Sequence, residues 1–411
     1  MRVLFLTIGR VESVSSRGIY SDLIREFRDR GDAISVVCPV ERRSGKATEL
    51  VVEQGIDVLR VRTGNITKTN LLEKGISTIL MESQFISAIQ AHLSRSKFDM
   101  VLYSTPPVTF ESVVQYVKRR DGCRSYLLLK DIFPHNAVDL GMMSPNSLIW
   151  RYFRSKEKRL YDLSDWIGCM SQANVEYLVA HNPGVSRDKV EVCPNSIHPA
   201  SLRNLDEKHP EIRDALCIPR HAMVLMLGGN LGRPQGLGFL LEVLDRLKDR
   251  QDVFFLIVGS GTEYGRLEAH LVAGQHRNAR LLSALPKDQY DALLEECDVG
   301  LILLDPRFTI PNFPSRLTAY MEAAIPVIAA TDTVTDIKDV LLACNSGIWV
   351  RNGDVEGFEA AVNLMAADPL LRSQMGLNGR AYLEEHYTVS TAYDIIAAHF
   401  MGQSGAREDH V

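Results

Sequence analysis

The chain has no apolar run near the roughly 18 to 20 residues that a membrane-spanning helix needs. Its opening also lacks the layout of a secretory leader: Met1-Arg2 runs straight into Val3-Leu4-Phe5-Leu6, with a glycine and charges close behind. The expectation is a cytoplasmic protein, at most peripheral on the inner face of the cell membrane. Cysteine is sparse and shows no pairing pattern, with seven residues and no Cys-x-x-Cys spacing. Cys38, Cys123, Cys169, Cys193 and Cys297 sit in or beside apolar runs, so buried thiols in a reducing compartment are expected. That spacing excludes a disulfide framework and gives no metal motif. Positive charge is not in excess: 46 Lys and Arg stand against 51 Asp and Glu, a net charge of −5. A field of that sign does not attract nucleic acid, and none is expected as a partner; an anionic ligand must be met by a local patch.

What is present is a globular balance of 45% hydrophobic and 24% charged residues over 411 positions, enough for two domains of about 200 each. Short apolar runs alternate with helical periodicity. Val3 to Ile8, Ala33 to Cys38, Met100 to Tyr103, Ser125 to Leu129 and Trp166 to Met170 read as buried strands. Tyr20 to Asp29 and Ile76 to Leu93 read as helices between them. A polar break at about 201–219 separates this series from a second one. There the strands are Met223 to Leu227, Phe254 to Val258, Val299 to Leu304, Val327 to Ala330 and Gly347 to Val350; Gly238 to Lys248 and Lys287 to Glu296 read as intervening helices. Such alternation predicts an α/β protein with two Rossmann-like domains, residues 1–200 and 201–387. Ligands of these sheets bind outside the carboxyl ends of the strands.

Four segments of the second half share one form, an apolar strand followed by small or polar residues. They are Gly228-Gly229-Asn230-Leu231-Gly232-Arg233, Gly259-Ser260-Gly261, Leu285-Pro286-Lys287 and Asn312-Phe313-Pro314-Ser315-Arg316-Leu317. Glycines there allow close backbone approach to a phosphate, and main-chain N–H groups favour negative charge. Each turn taken singly also fits an ordinary strand-to-helix connection. Arg316 is the sharper signal, because a cation in the first turn of a helix opposes its dipole unless an anion joins it. In the first half, Lys130, Asp131 and His135 follow the strand ending at Leu129. Ser16, Arg17 and Gly18 precede a helix, Thr105-Pro106 follows another strand, and Ser171 follows a fourth. Asp131 is the first choice for a catalytic contact, either as base or as an orienting acceptor. His135 titrates near neutrality and is a second choice beside a purely structural role.

Taken in order, these segments resemble the family-4 glycosyltransferases over nearly the whole chain. The resemblance is nearest to amino-sugar and fucosamine-type transferases of O-antigen and capsule biosynthesis. It is carried by the glycine segments above and by Leu285-Pro286 with Cys297-Asp298-Val299-Gly300. Pro314-Ser315-Arg316-Leu317 through Ala323-Ala324-Ile325-Pro326-Val327-Ile328-Ala329 extends it. Asp131-Ile132-Phe133-Pro134 and Cys193-Pro194-Asn195-Ser196 look like the family's Asp-x-x-Pro segment and domain junction. The resemblance implies a GT-B fold, two Rossmann-like domains facing each other across a cleft. It also implies that the helix at about 388–411 packs back on the first domain.

The activity so implied is retaining transfer of a sugar from a nucleoside-diphosphate sugar, with a UDP-sugar favoured, to a lipid-linked or oligosaccharide acceptor in surface polysaccharide biosynthesis. No cofactor and no metal are expected. The absence of any Asp-x-Asp agrees with this, and Arg233 with Arg316 match the family's paired basic positions. The chain departs from the pattern where many relatives carry two glutamates eight positions apart, since Pro311 and Ala319 stand there. Glu322 is either their replacement or a plain carboxylate, and main-chain N–H groups of 309–313 are the other candidates for holding the sugar. Residues 149–163 interleave cations with aromatics on a helix, which suits either an anionic membrane surface or a solvated basic face. Two other readings remain at this point: a nucleotide-sugar 2-epimerase of the same fold, and a non-catalytic nucleotide-sugar-binding partner.

Overall fold

The computed structural model describes residues 1–9, 11, 13–66, 69, 71–202 and 210–401, which divide into two compact units. The first comprises Met1–His198 together with the chain from Thr388 onward, and the second is Pro199–Tyr387. Of the polar break at 201–219, residues 203–209 lie outside the described residues, and Pro210–Ala215 is a short helix.

The first unit is built on strands β1 (Arg2–Leu6), β2 (Ala33–Glu41), β3 (Glu49–Glu53), β4 (Ile56–Thr63), β5 (Met100–Ser104), β6 (Arg124–Leu129), β7 (Trp166–Cys169) and β8 (Val190–Val192). Their order in the sheet is β3-β4-β2-β1-β5-β6-β7-β8, parallel except for the antiparallel β3–β4 pair. Apolar side chains cover both faces. Leu4, Leu6, Tyr103 and Leu127 point into one buried cluster, and Val3, Phe5, Leu102 and Leu128 into the other. This two-sided burial is why the strands read as continuous apolar runs rather than alternating ones.

The β3–β4 hairpin escaped the sequence reading. Its turn is Gln54-Gly55, both at positive φ, which suits a tight two-residue connection, but β3 is largely exposed and so leaves little apolar signal. The short β8 went unread as well. Other boundaries differ from expectation by a few residues: β1 ends at Leu6 rather than Ile8, since Thr7 N–H still bonds Val37 O within β2 but the chain bends at Ile8 and Gly9.

The chain leaves the first unit after His198 and re-enters it at Thr388, where Ile197 and Thr388 form a bridge. The last described helix, Val389–Met401, packs against the helix Ile19–Asp29. Ala392, Tyr393, Ile396 and Ala397 join the same apolar cluster as Phe27. Tyr393 donates to Asp32 at 2.8 Å, and His399 stacks on Trp166 at 4.6 Å while its Nε2 lies 2.7 Å from Glu191.

The second unit holds β9 (Met223–Asn230), β10 (Val253–Ser260), β11 (Ala279–Ser283), β12 (Val299–Leu303), β13 (Val327–Thr331) and β14 (Gly347–Arg351). All pairs are parallel, in the order β11-β10-β9-β12-β13-β14. This is the doubly wound order, whose direction reverses between β9 and β12. Reversal sends the connections after these two strands to opposite sides and opens a crevice at their carboxyl ends. The strand β11 was not read from sequence because its burial is only partial.

Candidate nucleotide-sugar site

In the second unit, the loops after β9, β10, β11 and β12 carry every expected donor segment except Glu322. The loop after β9 is stitched to its neighbours on both sides. Leu231 donates its N–H to Ser260 O at 3.0 Å and accepts from Glu263 N at 3.0 Å. Asp305, just past β12, donates its N–H to Pro234 O at 3.0 Å, and its carboxylate is held by Arg307 at 2.8 Å. That pairing, against an opposing burial effect, leaves the Asp305 carboxyl below its usual range.

Beneath the loops, the buried Tyr320 hydroxyl donates toward Met226 O (3.0 Å) and Leu301 O (3.1 Å) and accepts from Gly228 N (3.3 Å). It bridges β9 and β12 at the point where the sheet reverses. Sequence reasoning missed Tyr320, which looks like an ordinary apolar position of its helix. Tyr290 was also missed, and its hydroxyl lies over Gly228.

The glycine of the second loop has a tighter reason than ligand approach. A Cβ on Gly259 would stand 1.9 Å from the Gly229 carbonyl oxygen. Two backbones pass so closely here that only glycine fits. Several main-chain amides expected to meet a ligand are spent inside the protein. Gly228 N–H goes to Tyr320, Leu231 N–H to Ser260, and Asn312 N–H to Thr335 Oγ1 at 3.0 Å. The last of these takes the Asn312 amide out of the 309–313 stretch considered for the sugar.

Arg316 opens the seven-residue helix Arg316–Glu322, preceded by Pro314 and the exposed Ser315. Phe313 and Leu317 are buried and anchor this segment. The Arg316 guanidinium lies over the end of β9, where Nη2 reaches Asn230 O only at 3.5 Å, and Nη1 is buried with no hydrogen-bond partner. A desolvated guanidinium nitrogen without an acceptor is costly and calls for an anion. Arg233 is exposed in the short turn after Gly232, on the neighbouring strand end. Leu285 is half-buried and Pro286 exposed at the start of the helix Lys287–Glu295.

Glu322 does not join this group. It closes the helix that Arg316 opens, and its Oε1 accepts from Ala200 N at 2.9 Å. Arg380 completes the clamp through Glu322 O (3.0 Å) and Ala200 O (2.7 Å). The carboxylate thus fastens the beginning of the second unit through Oε1, which favours the plain-carboxylate alternative for Glu322.

In the first unit, Lys130 and Asp131 follow β6, and Thr105 follows β5. The buried Thr105 Oγ1 accepts from Lys130 N at 3.0 Å and contacts Asp131 N and O at 3.4 Å, which sets the two strand ends together. Asp131 Oδ1 accepts from Asn136 Nδ2 at 2.7 Å. Burial pushes the Asp131 carboxyl up to about 6, against the opposing pull of Asn136 and of Ile132 N–H. Burial likewise lowers Lys130 to about 8, and its Nζ turns toward Cys193 O at 3.4 Å. His135 starts the five-residue helix His135–Asp139. Among the described residues its ring meets Asp139 (3.8 Å) and Tyr177 rather than Asp131.

The segment 13–18 is held by Arg25, which donates to Val14 O and to Ser16 O at 2.9 Å, while Gly18 N–H bonds Asp22 at 3.1 Å. Arg17 is exposed, as is Pro106. Gly18 has extended φ and open space where a side chain would go. Ser171 caps the helix Gln172–His181: its hydroxyl accepts from Asn174 N–H (3.5 Å) and donates to Asn174 Oδ1 (2.9 Å).

The chain also has relatives among known proteins. Residues 222–368 match the family model described as Glycosyl transferases group 1. The probable glycosyltransferase WbjE of Pseudomonas aeruginosa is 23% identical over 391 residues, covering 93% of this chain and 94% of that protein. The putative colanic acid biosynthesis glycosyl transferase WcaI of Escherichia coli is 28% identical over 253 residues, 59% of this chain and 60% of that protein. Among solved structures, the sucrose-phosphate synthase of Thermosynechococcus elongatus superposes with a TM-score of 0.74 at 14% identity, covering 98% of both chains. Anabaena HepE in complex with UDP and glucose gives 0.68 at 15%, over 98% of this chain and 99% of that one. WaaG, a lipopolysaccharide glycosyltransferase, gives 0.66 at 14%, over 96% and 99%. The two parallel-sheet units are those of a GT-B fold.

Proposed function

Because this GT-B chain is a glycosyltransferase with a group 1 domain over residues 222–368, we propose that it moves a sugar from a nucleoside-diphosphate sugar, most readily a UDP-sugar, to a lipid-linked or saccharide acceptor in surface polysaccharide biosynthesis. WcaI is described as a putative colanic acid biosynthesis enzyme and WaaG as involved in lipopolysaccharide biosynthesis, and HepE holds UDP and glucose in its own structure. The observation that carries the reading is the buried, unpartnered Nη1 of Arg316 at the reversal between β9 and β12. A diphosphate at that crevice supplies the missing acceptor, and its leaving negative charge is met by a fixed cation in a low-dielectric place. Arg233 adds a second, exposed cation from the neighbouring loop. Two arginines take over the charge neutralisation that a divalent ion provides elsewhere, so transfer proceeds without a metal; the family resemblance adds that the anomeric configuration is retained.

In the first unit Asp131 meets the sugar or the acceptor hydroxyl, and the 13–18 loop with Thr105 and Pro106 shapes the acceptor side. The deciding experiment is calorimetry of UDP and GDP with the wild type and Arg316→Ala. UDP binds the wild type, and R316A weakens it about ten- to hundredfold, the cost of a charge-assisted bond in a buried place. Absence of heat with either nucleotide, or an R316A titration equal to wild type, overturns the assignment. Incubation with UDP-sugar in EDTA and no acceptor should return unaltered donor or slow hydrolysis; conversion of the sugar to its epimer defeats the transferase reading.

A further inference from the structure

A second cluster of chemistry-bearing side chains lies in the same unit, away from the strand-end loops. Asp245 is in the last turn of the helix Leu237–Leu247, which starts at the carboxyl end of β9 and runs back for on the order of 15 Å. His270 is in the last turn of the helix Tyr264–Ala273, which does the same after β10. His276 stands just before β11. All three therefore gather at the amino-terminal edge of the sheet. His270 Nε2 lies 3.0 Å and His276 Nε2 3.2 Å from the same oxygen, Asp245 Oδ1, and the three donor atoms fall within 4.8 Å of one another.

His276 is the unusual member. Its side chain is fully buried, and neither ring nitrogen makes a hydrogen bond. The approach to Asp245 has the distance of a bond but not its direction, so the carboxylate does not satisfy the ring. A buried imidazole left in this state points to an unseen partner. The turn that delivers it is built closely. A Cβ on Gly274 would lie 2.4 Å from His276 Nε2, and Asn278 Nδ2 fastens the following residues to Leu247 O at 2.8 Å. His270 and Asp245, by contrast, are partly and largely exposed, which gives an ion a way in and leaves room for water as a further ligand.

We propose that Asp245, His270 and His276 bind a divalent cation of the zinc class. Two imidazoles and one carboxylate are the ligand set such borderline ions prefer over magnesium or calcium. Donor atoms around a tetrahedral ion with bonds of about 2.1 Å stand roughly 3.4 Å apart, close to the two separations already present. The ion ties together the helices after β9 and β10 and the start of β11. It lies at the edge of the sheet opposite the strand-end loops, so it stabilises the unit without entering the transfer reaction.

The test uses the full chain, stripped with chelator and titrated with zinc chloride. One equivalent binds, and at a hundredfold excess over Kd the Tm rises by roughly 5 °C. Both effects disappear in His270→Ala and in Asp245→Asn, whose side chains reach solvent and whose loss leaves the core intact. Cobalt(II) gives the visible absorption of a tetrahedral site in the wild type and not in H270A. Zinc uptake that is equal in wild type and both variants assigns the binding to the cysteines and overturns the proposal. So does a Tm that zinc leaves unmoved.

Discussion

Asp131 shows how a single side chain is prepared by its surroundings. Burial raises its carboxyl to about 6, while Asn136 and the Ile132 amide pull the other way. The ionised form thus dominates at pH 7 but is lost as the pH drops through 6. If this carboxylate orients or deprotonates the acceptor, transfer by the wild type falls on the acid side of pH 6. Asp131→Asn lowers turnover on the order of a hundredfold and removes that acid limb from the residual activity.

The same shift has a sign for stability. The folded pKa lies above the unfolded one, so the contribution of this group is best below the unfolded value and worsens as the pH rises to about 6. D131N should therefore melt higher than the wild type at pH 8 and show no such gain at pH 4, which calorimetric melts at both pH values check. A site that gains stability when its key charge is removed is one kept for function.

Elements matter through how closely their ends approach. The last residues of β9 and β10 pass at backbone contact, and Gly259 is the place where nothing larger fits. Gly259→Ala forces the two strand ends apart, lowering Tm by several degrees and weakening UDP binding together. Gly18 is the opposite case: its φ is extended and nothing crowds its Cβ position. Gly18→Ala should melt like the wild type. Lost transfer in G18A with UDP affinity retained then marks direct approach of acceptor to this loop, and unchanged transfer removes the loop from the site.

On the scale of the whole molecule, the segment that starts Leu148–Leu163 presents an exposed apolar surface. Leu148 is 83% and Ile149 62% exposed, with Met142 and Tyr152 also exposed beside the basic Arg151, Lys158 and Arg159. No described helix is long and apolar enough to cross a membrane. Apolar side chains flanked by cations suit the surface of an anionic bilayer, where a lipid-linked acceptor resides. The double variant Leu148→Ser, Ile149→Ser should lose co-sedimentation with phosphatidylglycerol vesicles while its UDP titration stays that of the wild type. Binding that persists in this variant places the contact elsewhere.

The alternation of apolar runs with helical periodicity was enough, by itself, to determine two doubly wound α/β units and the order of the loops that close them. Burial on both faces of a parallel sheet leaves a continuous apolar signal, and a strand-to-helix turn leaves a glycine. Arg316 was legible because a cation at a helix start is locally unfavourable and so stands out. What depends on partners distant in the chain was not legible. Only the folded chain assigned Glu322 to Ala200, capped a helix with Ser171, and spent the Asn312 amide on Thr335. It alone brought Asp245, His270 and His276 to a common point and set Tyr320 across the sheet reversal. Each of these is a contact between residues far apart or on different elements, and local propensity has no term for a partner that only the sheet order brings near.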